Sequence, residues 1–207
     1  MLWEISVIYY SIQGEGLHTG KPMVFIRFQG CNLDCSFCDE REGKSDPISW
    51  EELLVKLRLF PCKNVLLTGG EPLLQKNIAS VIENLAEKGY SIHIETNGTV
   101  PLKVSPGIRE KIWITVSPKN LLLCIQADEY KFLYDRFTPS IEKLWNTFCP
   151  QLSEWYEQCS NLFLQPVHYA RQPEKNKENL RHAVEIVKKH SQYLRLSIQT
   201  HKYIGIK

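Results

Sequence analysis

Apolar residues along this chain follow two rhythms. Short apolar runs bounded by polar turns alternate with longer stretches in which apolar residues recur every three or four positions. Ile5 to Tyr10 and Met23 to Phe28 are of the first kind, the second interrupted only by Arg27. A nearly continuous run of that length fits a strand covered on both faces. Ser49 stands three residues before Glu52, a capping-box signature that predicts a helix from Trp50 to Leu59. Val65 to Leu67 is the next strand. After it Leu74, Ile78, Val81, Ile82 and Leu85 recur at helical spacing, and Gly89 suits the position just past that helix. Strands follow at Ser91 to Glu95 and Ile112 to Val116. Asn120 to Ser160 carries scattered aromatics and yields one predicted helix near Ile141. Leu162 to Leu164 is strand-like. Lys175 to Lys189 is a helix with Leu180, Val184 and Val187 on one face, and Tyr193 to Gln199 is the last strand.

Alternating strands and helices argue for the α/β class, with a parallel sheet and right-handed crossovers. About six strands are too few for a closed eightfold barrel. The expected architecture is therefore an open, partial β/α barrel of mostly parallel strands, in one domain over residues 1–207. Polar motifs sit where the strands end: Thr68-Gly69-Gly70-Glu71-Pro72, Glu95-Thr96-Asn97-Gly98, Ser117-Pro118-Lys119 and Gln165-Pro166. The carboxyl ends of strands are where such folds build sites.

Hydrophobic residues make up 43% of the chain and charged residues 23%, which excludes a disordered polymer. The net charge is +2, and the cations from Arg171 to Lys189 are interleaved with Glu174, Glu178 and Glu185. That pattern reads as a solvated helix face, so no nucleic-acid partner is expected. No apolar run approaches the roughly 20 residues that span a bilayer. Met1-Leu2-Trp3-Glu4 lacks the charged head and apolar stretch of a signal peptide, so a cytoplasmic protein with no membrane partner is expected. Thiols there stay reduced and serve more often as ligands than as bridges.

The cysteines change the picture most. There are seven, an odd number, which argues against a complete disulfide framework. Cys62, Cys124, Cys149 and Cys159 are scattered and read as small apolar or surface residues. Cys31, Cys35 and Cys38 crowd one loop with the spacing C-x3-C-x2-C. Three thiolates can hold three corners of a cubic 4Fe–4S cluster, whose complete shell takes four cysteines. The missing fourth leaves one iron open, the mark of a reactive site rather than a structural one. A structural zinc site is the alternative, but its nearest further ligands, Cys62 and His93, are remote in sequence.

C-x3-C-x2-C followed by Gly-Gly-Glu at a strand end resembles the radical S-adenosylmethionine superfamily. The resemblance implies that S-adenosylmethionine chelates the open iron and is cleaved by one electron to a 5′-deoxyadenosyl radical. It leaves no protein side chain as the catalyst, because cluster and S-adenosylmethionine carry the chemistry. Phe37, Cys38 and Asp39, Gly69, Gly70 and Glu71, Glu95 and Asn97, Ser117, Pro118 and Lys119, and Gln165, Pro166, Val167 and His168 would then face S-adenosylmethionine. Glycines without Cβ let backbone approach a ligand closely at Gly69-Gly70.

Four features narrow the resemblance: Ser11-Ile12-Gln13-Gly14-Glu15-Gly16, the run from Pro22 through Arg27 into Gly30-Cys31-Asn32-Leu33, Phe37-Cys38-Asp39, and Ser197-Ile198-Gln199-Thr200-His201-Lys202. Together they resemble the 7-carboxy-7-deazaguanine synthase family. That implies a pterin substrate, 6-carboxy-5,6,7,8-tetrahydropterin, whose ring contracts with loss of ammonia on the route to queuosine and other deazapurines. Gln13 offers donor and acceptor, Glu15 offers acceptors to an amino edge, and a guanidinium such as Arg27 suits a planar carboxylate. By motif match Ile12, Gln13, Gly14, Glu15, Arg27, Thr68, His201 and Lys207 would line the substrate.

The resemblance further implies a magnesium ion at the substrate carboxylate, a flavodoxin or ferredoxin as electron donor, and a homodimer. One departure stands out. The family commonly has Cys-Asp-Thr after the third cysteine, its Thr helping to ligate magnesium, whereas this chain has Cys38-Asp39-Glu40. A carboxylate is a good oxygen ligand for magnesium, so Glu40 is kept as a candidate. Two other readings stay open at this point: another compact radical enzyme such as a glycyl-radical activase, and a non-catalytic zinc- or cluster-binding module.

Overall fold

The computed structural model describes residues 2–38 and 44–206. Asp39, Glu40 and Lys207, three of the expected site residues, lie outside the described residues.

Among the described residues nine strands form one sheet: β1 (Leu2–Ile12), β2 (Pro22–Phe28), β3 (Asp46–Ser49), β4 (Asn64–Gly69), β5 (Ser91–Thr96), β6 (Ile112–Val116), β7 (Glu129–Tyr134), β8 (Leu162–Pro166) and β9 (Leu194–Leu196). Their order is β3-β1-β2-β4-β5-β6-β7-β8-β9. Every neighbouring pair from β2 to β9 is parallel, and only the β1 pairings are antiparallel. The sheet has two edges, β3 and β9, and is the open, mostly parallel α/β architecture that the alternation of elements predicts.

The helices are α1 (Trp50–Arg58), α2 (Ile78–Glu87), a single turn α3 (Pro106–Arg109), α4 (Pro139–Phe148), α5 (Leu152–Gln158), α6 (Pro173–Lys189) and α7 (Thr200–Ile204). The capping box that predicts α1 is formed in both halves. Glu52 N–H donates to Ser49 Oγ at 3.2 Å and Ser49 N–H to the Glu52 carboxylate at 2.8 Å.

Side chains alternate across a strand, and here the two faces differ in kind. One face carries Val24, Ile26, Val65, Leu67, Ile92, Ile94, Ile114, Phe132 and Leu164, packed with Leu53, Leu85, Trp145, Phe148 and Ala183 of the helices into the main core. The other carries Phe25, Arg27, Leu66, Thr68, His93, Glu95, Thr115, Glu129, Lys131 and Gln165. The register confirms it: Arg27 lies opposite Thr68, Leu66 opposite His93, Glu95 opposite Thr115, and Thr115 opposite Glu129. The first face serves cohesion, and the second is polar toward the strand ends, with a small apolar cluster of Met23, Phe25 and Leu66 on β2 and β4.

Several boundaries depart from the sequence expectation. Leu74 belongs to a short 3-10 turn, Pro72–Leu74, and is 43% exposed, so it is not on the buried face of α2. On α6 the fully buried positions are Asn179 and Ala183, and Leu180 and Val184 are only half-buried. The reason is polar. Asn179 Nδ2 donates to the Val167 carbonyl at 3.1 Å, and its Oδ1 accepts from Arg136 N–H at 3.3 Å, closing off the ends of β7 and β8. β9 stops at Leu196 instead of Gln199. Beyond it the chain turns to the turn after β1: Gly16 N–H donates to Ser197 Oγ at 2.9 Å and Thr200 N–H to the Gly14 carbonyl at 2.9 Å. β3 and β7 were not expected at all.

Candidate active site

The cysteine loop leaves β2 at its carboxyl end. Cys31 and Cys38 are exposed, Cys35 is half-buried, and none of the described cysteines is in a disulfide. The loop is fastened at its root to the strand end of β4. Gly70 N–H donates to the Phe28 carbonyl at 3.1 Å and Glu71 N–H to the Gly30 carbonyl at 2.8 Å. The approach is close enough to require glycine: a Cβ on Gly70 would overlap the Gly30 carbonyl and reach Cys31 Cβ at 3.2 Å, and Gly69 has φ +132°.

Glu71 is completely buried and acts as a strut between strand ends. Its carboxylate accepts from Thr96 Oγ1 at 2.7 Å, Asn97 N–H at 2.8 Å and Leu73 N–H at 3.0 Å. Burial raises its pKa, and the donated hydrogen bonds pull the other way. Asn97 carries the link onward, its Nδ2 donating to Asn32 Oδ1 at 3.0 Å and lying 3.9 Å from Cys31 Sγ. Lys119 Nζ donates to Ser117 Oγ at 2.7 Å and stands 6.0 Å from the centre of the Phe37 ring, within the cysteine loop. Pro118 is buried beside them. These residues therefore form one rim around the three thiols.

A second polar set fills the concave face beside that rim. Glu95 accepts from Gln13 Nε2 at 3.2 Å, from Thr68 Oγ1 at 3.1 Å and from Lys131 Nζ at 3.3 Å. Glu15 pairs with the same lysine and accepts from Gln199 Nε2 at 2.9 Å. Burial alone would raise the Glu15 pKa, but the charge and hydrogen bond of Lys131, the Gln199 bond and the His201 charge outweigh it and lower it to about 2. Burial likewise works against the Lys131 cation, and the charges of Glu15, Glu95 and Glu129 overcome it, so its pKa is raised. Glu129 accepts from Leu17 N–H at 2.9 Å, and burial raises its pKa.

The expected substrate residues Gln13, Glu15 and Thr68 are thus brought together, and Glu95, expected beside S-adenosylmethionine, is at their hub. Arg27 is half-buried on the same face, opposite Thr68. Ile12 ends β1. Gly14 lies so close to His201 that a Cβ would overlap its ring, and burial lowers the His201 pKa. Gln165 is buried and accepts from Ser197 Oγ at 3.0 Å. Pro166 ends β8, Val167 N–H donates to the Tyr134 carbonyl at 2.9 Å, and the His168 ring meets that of Tyr203 at 5.1 Å between centres. Lys131, Glu129 and Gln199 are not among the residues expected at the site. Glu129-Tyr130-Lys131-Phe132 does alternate charge with aromatic, a signal for the first two, and Gln199 lies within the C-terminal motif.

Deeper on the concave face, His18 stacks edge-on against His93 and Trp113, each at 4.6 Å, and Lys21 Nζ is 3.3 Å from His93 Nε2. Burial, then Lys21, lowers the His93 pKa to about 3. Cys62 is buried at the opposite end of β2, within 3.3 Å of the Pro22 carbonyl. Neither is near the cysteine loop, so the zinc shell that would use them is not assembled.

A sequence model of the radical SAM superfamily matches residues 25–120. The chain is 39% identical to the 7-carboxy-7-deazaguanine synthase of Bacteroides thetaiotaomicron, over all of both chains. It is 35% identical to that of Aquifex aeolicus, over 98% of this chain and 94% of the relative. The chain belongs to the 7-carboxy-7-deazaguanine synthase family. The crystal structure of QueE from Escherichia coli superposes with a TM-score of 0.73 at 26% identity, over 97% of this chain and 95% of that one.

Family membership implies a 4Fe–4S cluster and S-adenosylmethionine, and the donor set fits them. Three thiols outside any disulfide share one loop, and its root lies so close to Gly70 that a Cβ there would overlap the Gly30 carbonyl. Among the described residues no three His, Cys, Asp or Glu side chains converge on one point as for a single metal ion. No described helix is long and apolar enough to cross a membrane.

Proposed function

We propose that this protein is a carbon–nitrogen lyase that converts 6-carboxy-5,6,7,8-tetrahydropterin to 7-carboxy-7-deazaguanine with loss of ammonia. The observation that carries the reading is the part-buried hydrogen-bonded set Gln13–Glu95–Thr68 with Glu15, on the same side of the sheet as Arg27. A pterin is a flat heterocycle edged by amide and amine groups and, in this substrate, a carboxylate. Fixed acceptors and amides suit the first and a guanidinium the second.

When bound, cluster and S-adenosylmethionine supply the electron and the 5′-deoxyadenosyl radical. The chain supplies the rest. Cys31, Cys35 and Cys38 hold the cluster. The rim of Phe37, Cys38, Gly69, Gly70, Glu71, Asn97, Ser117, Pro118 and Lys119, with Gln165 to His168, seats S-adenosylmethionine, and by motif match Asp39 joins them. Ile12, Gln13, Gly14, Glu15, Arg27, Thr68, His201 and Lys207 line the pterin. Glu95 serves the boundary between the two. One radical SAM core domain over residues 1–207, acting as a cytoplasmic homodimer and reduced by a flavodoxin or ferredoxin, completes the reading.

Magnesium at the substrate carboxylate belongs to the same reading, with Glu40 as its protein ligand. Turnover with and without magnesium, in wild type and Glu40→Thr, tests it, and an unchanged metal response in the variant removes Glu40 from the site.

The decisive assay is anaerobic. The reconstituted, dithionite-reduced protein is given S-adenosylmethionine and the carboxytetrahydropterin, and deazaguanine product is sought by mass and absorbance. Cleavage of S-adenosylmethionine without product would favour a different radical enzyme. No cleavage at all would leave a binding module.

A further inference from the structure

Lys131 is 5% exposed, comes from the middle of β7, and lies outside every motif that the family resemblance rests on. It is the common partner of Glu15 and Glu95. Those two carboxylates come from separate elements, the turn after β1 and the end of β5, and like charges so close repel unless a cation lies between them. The described donors to Glu15 are Lys131 and Gln199. A carboxylate offers about four lone-pair sites, so acceptor capacity remains for a ligand.

We propose that Lys131 is a positioning residue for substrate recognition: it holds the Glu15 and Glu95 carboxylates together on the concave face as one acceptor pair for the amide and amine edge of a flat heterocycle. The inference rests on the pterin reading above and deepens it. Lys131 acts through the two glutamates. Arg27 answers the carboxylate end of the ligand, and Lys131 sets the opposite, donor-reading end. The groups facing Glu15 are Lys131 and Glu129 from β7, Glu95 from β5, Gln199, and His201 from α7. Of these only Lys131 gives it both a full charge and a hydrogen bond. Without that cation, burial drives the Glu15 carboxyl upward and the acceptor becomes a protonated acid at moderate pH.

The test uses the reconstituted holoenzyme with dithionite as reductant, in wild type, K131M and K131R. Product formation by wild type checks the pterin reading itself, so a failure there is separable from a failure of the Lys131 inference. K131M is expected to keep the wild-type far-ultraviolet circular dichroism and the wild-type iron and sulfide content after reconstitution, which shows an intact fold and cysteine loop. Its KM for the pterin is expected to rise about ten- to hundredfold, the range of a charge-assisted hydrogen bond. That KM should fall as pH rises, while the wild-type KM stays flat. K131R, which keeps the charge, should restore the flat profile. Should K131M be insoluble, K131Q, which keeps a donor at similar reach without the charge, carries the same comparison. A wild-type KM with a flat profile in the neutral variant overturns the inference, as does a raised KM that K131R leaves unchanged.

Discussion

The backbone N–H of Glu71 reaches the carbonyl of Gly30 at 2.8 Å, tying the end of β4 to the root of the cysteine loop. The root of the cysteine loop is therefore held by the sheet. Gly70→Ala puts a methyl group into the Gly30 carbonyl and against Cys31 Cβ. The variant should fold with a loss of about 1–3 kcal/mol, the cost of overpacking. Iron and sulfide per chain after anaerobic reconstitution should fall well below wild type, and full incorporation would count against the fastening.

Glu71 accepts three hydrogen bonds from its fully buried position, two of them from the backbone N–H groups of Leu73 and Asn97, which can only donate, so Glu71→Gln turns a donor amide toward at least one of these. About 2 kcal/mol should be lost, seen as a melting temperature lower by roughly 4–8 °C. Because burial raises the Glu71 pKa, its protonated form favours the fold in acid, and that contribution is lost as pH rises through the folded-state value. The gap between wild type and variant should therefore narrow as pH rises. A gap that widens would contradict the assignment.

Glu15 works in the opposite sense. Its pKa falls from the ordinary 4.5 to about 2, so its contribution is present above 4.5 and lost as pH falls through 2. The difference corresponds to about 3 kcal/mol. Denaturant unfolding at stepped pH should show wild type losing stability through that window faster than Glu15→Gln. Parallel curves for the two proteins would remove the ion pair with Lys131 as the cause.

The cysteine loop should be dispensable for the fold. Cys31 and Cys38 are exposed and belong to neither hydrophobic cluster. Cys38→Ala should abolish stable iron incorporation and cleavage of S-adenosylmethionine. In the iron-free proteins its far-ultraviolet circular dichroism should match wild type, and its unfolding free energy should stay within about 1 kcal/mol. A large loss of stability without iron would place the loop in the core instead.

What the sequence made legible follows from where each signal comes from. The α1 capping box, the β2 run and the Cys31–Cys38 spacing are local, and each is found where its pattern puts it. β7 was hidden although Glu129 and Lys131 alternate with Tyr130 and Phe132. Alternation tells that one face is polar but not whether that face meets water or the interior. Lys131 is intelligible only with Glu15 and Glu95 around it, and those come from distant segments. Asn179 was passed over in α6 because apolar periodicity cannot nominate an amide that caps two strand ends. The early end of β9 depends on the turn at Gly14 and Gly16, which competes for the backbone of residues 197–200.

The two-faced strands have a consequence for how this chain tolerates change. Along β2, β4, β5 and β7, neighbouring residues answer to different demands. Val65, Leu67, Ile94 and Phe132 keep the helices attached, while Thr68, Glu95 and Lys131 meet only the polar interior. A saturation library scored separately for abundance and for turnover should therefore flicker with a period of two along these strands. Abundance should be lost at one set of positions and turnover at the other. A lineage could then rewrite what the interior recognises, one alternate residue at a time, without disturbing the surface that holds the barrel together.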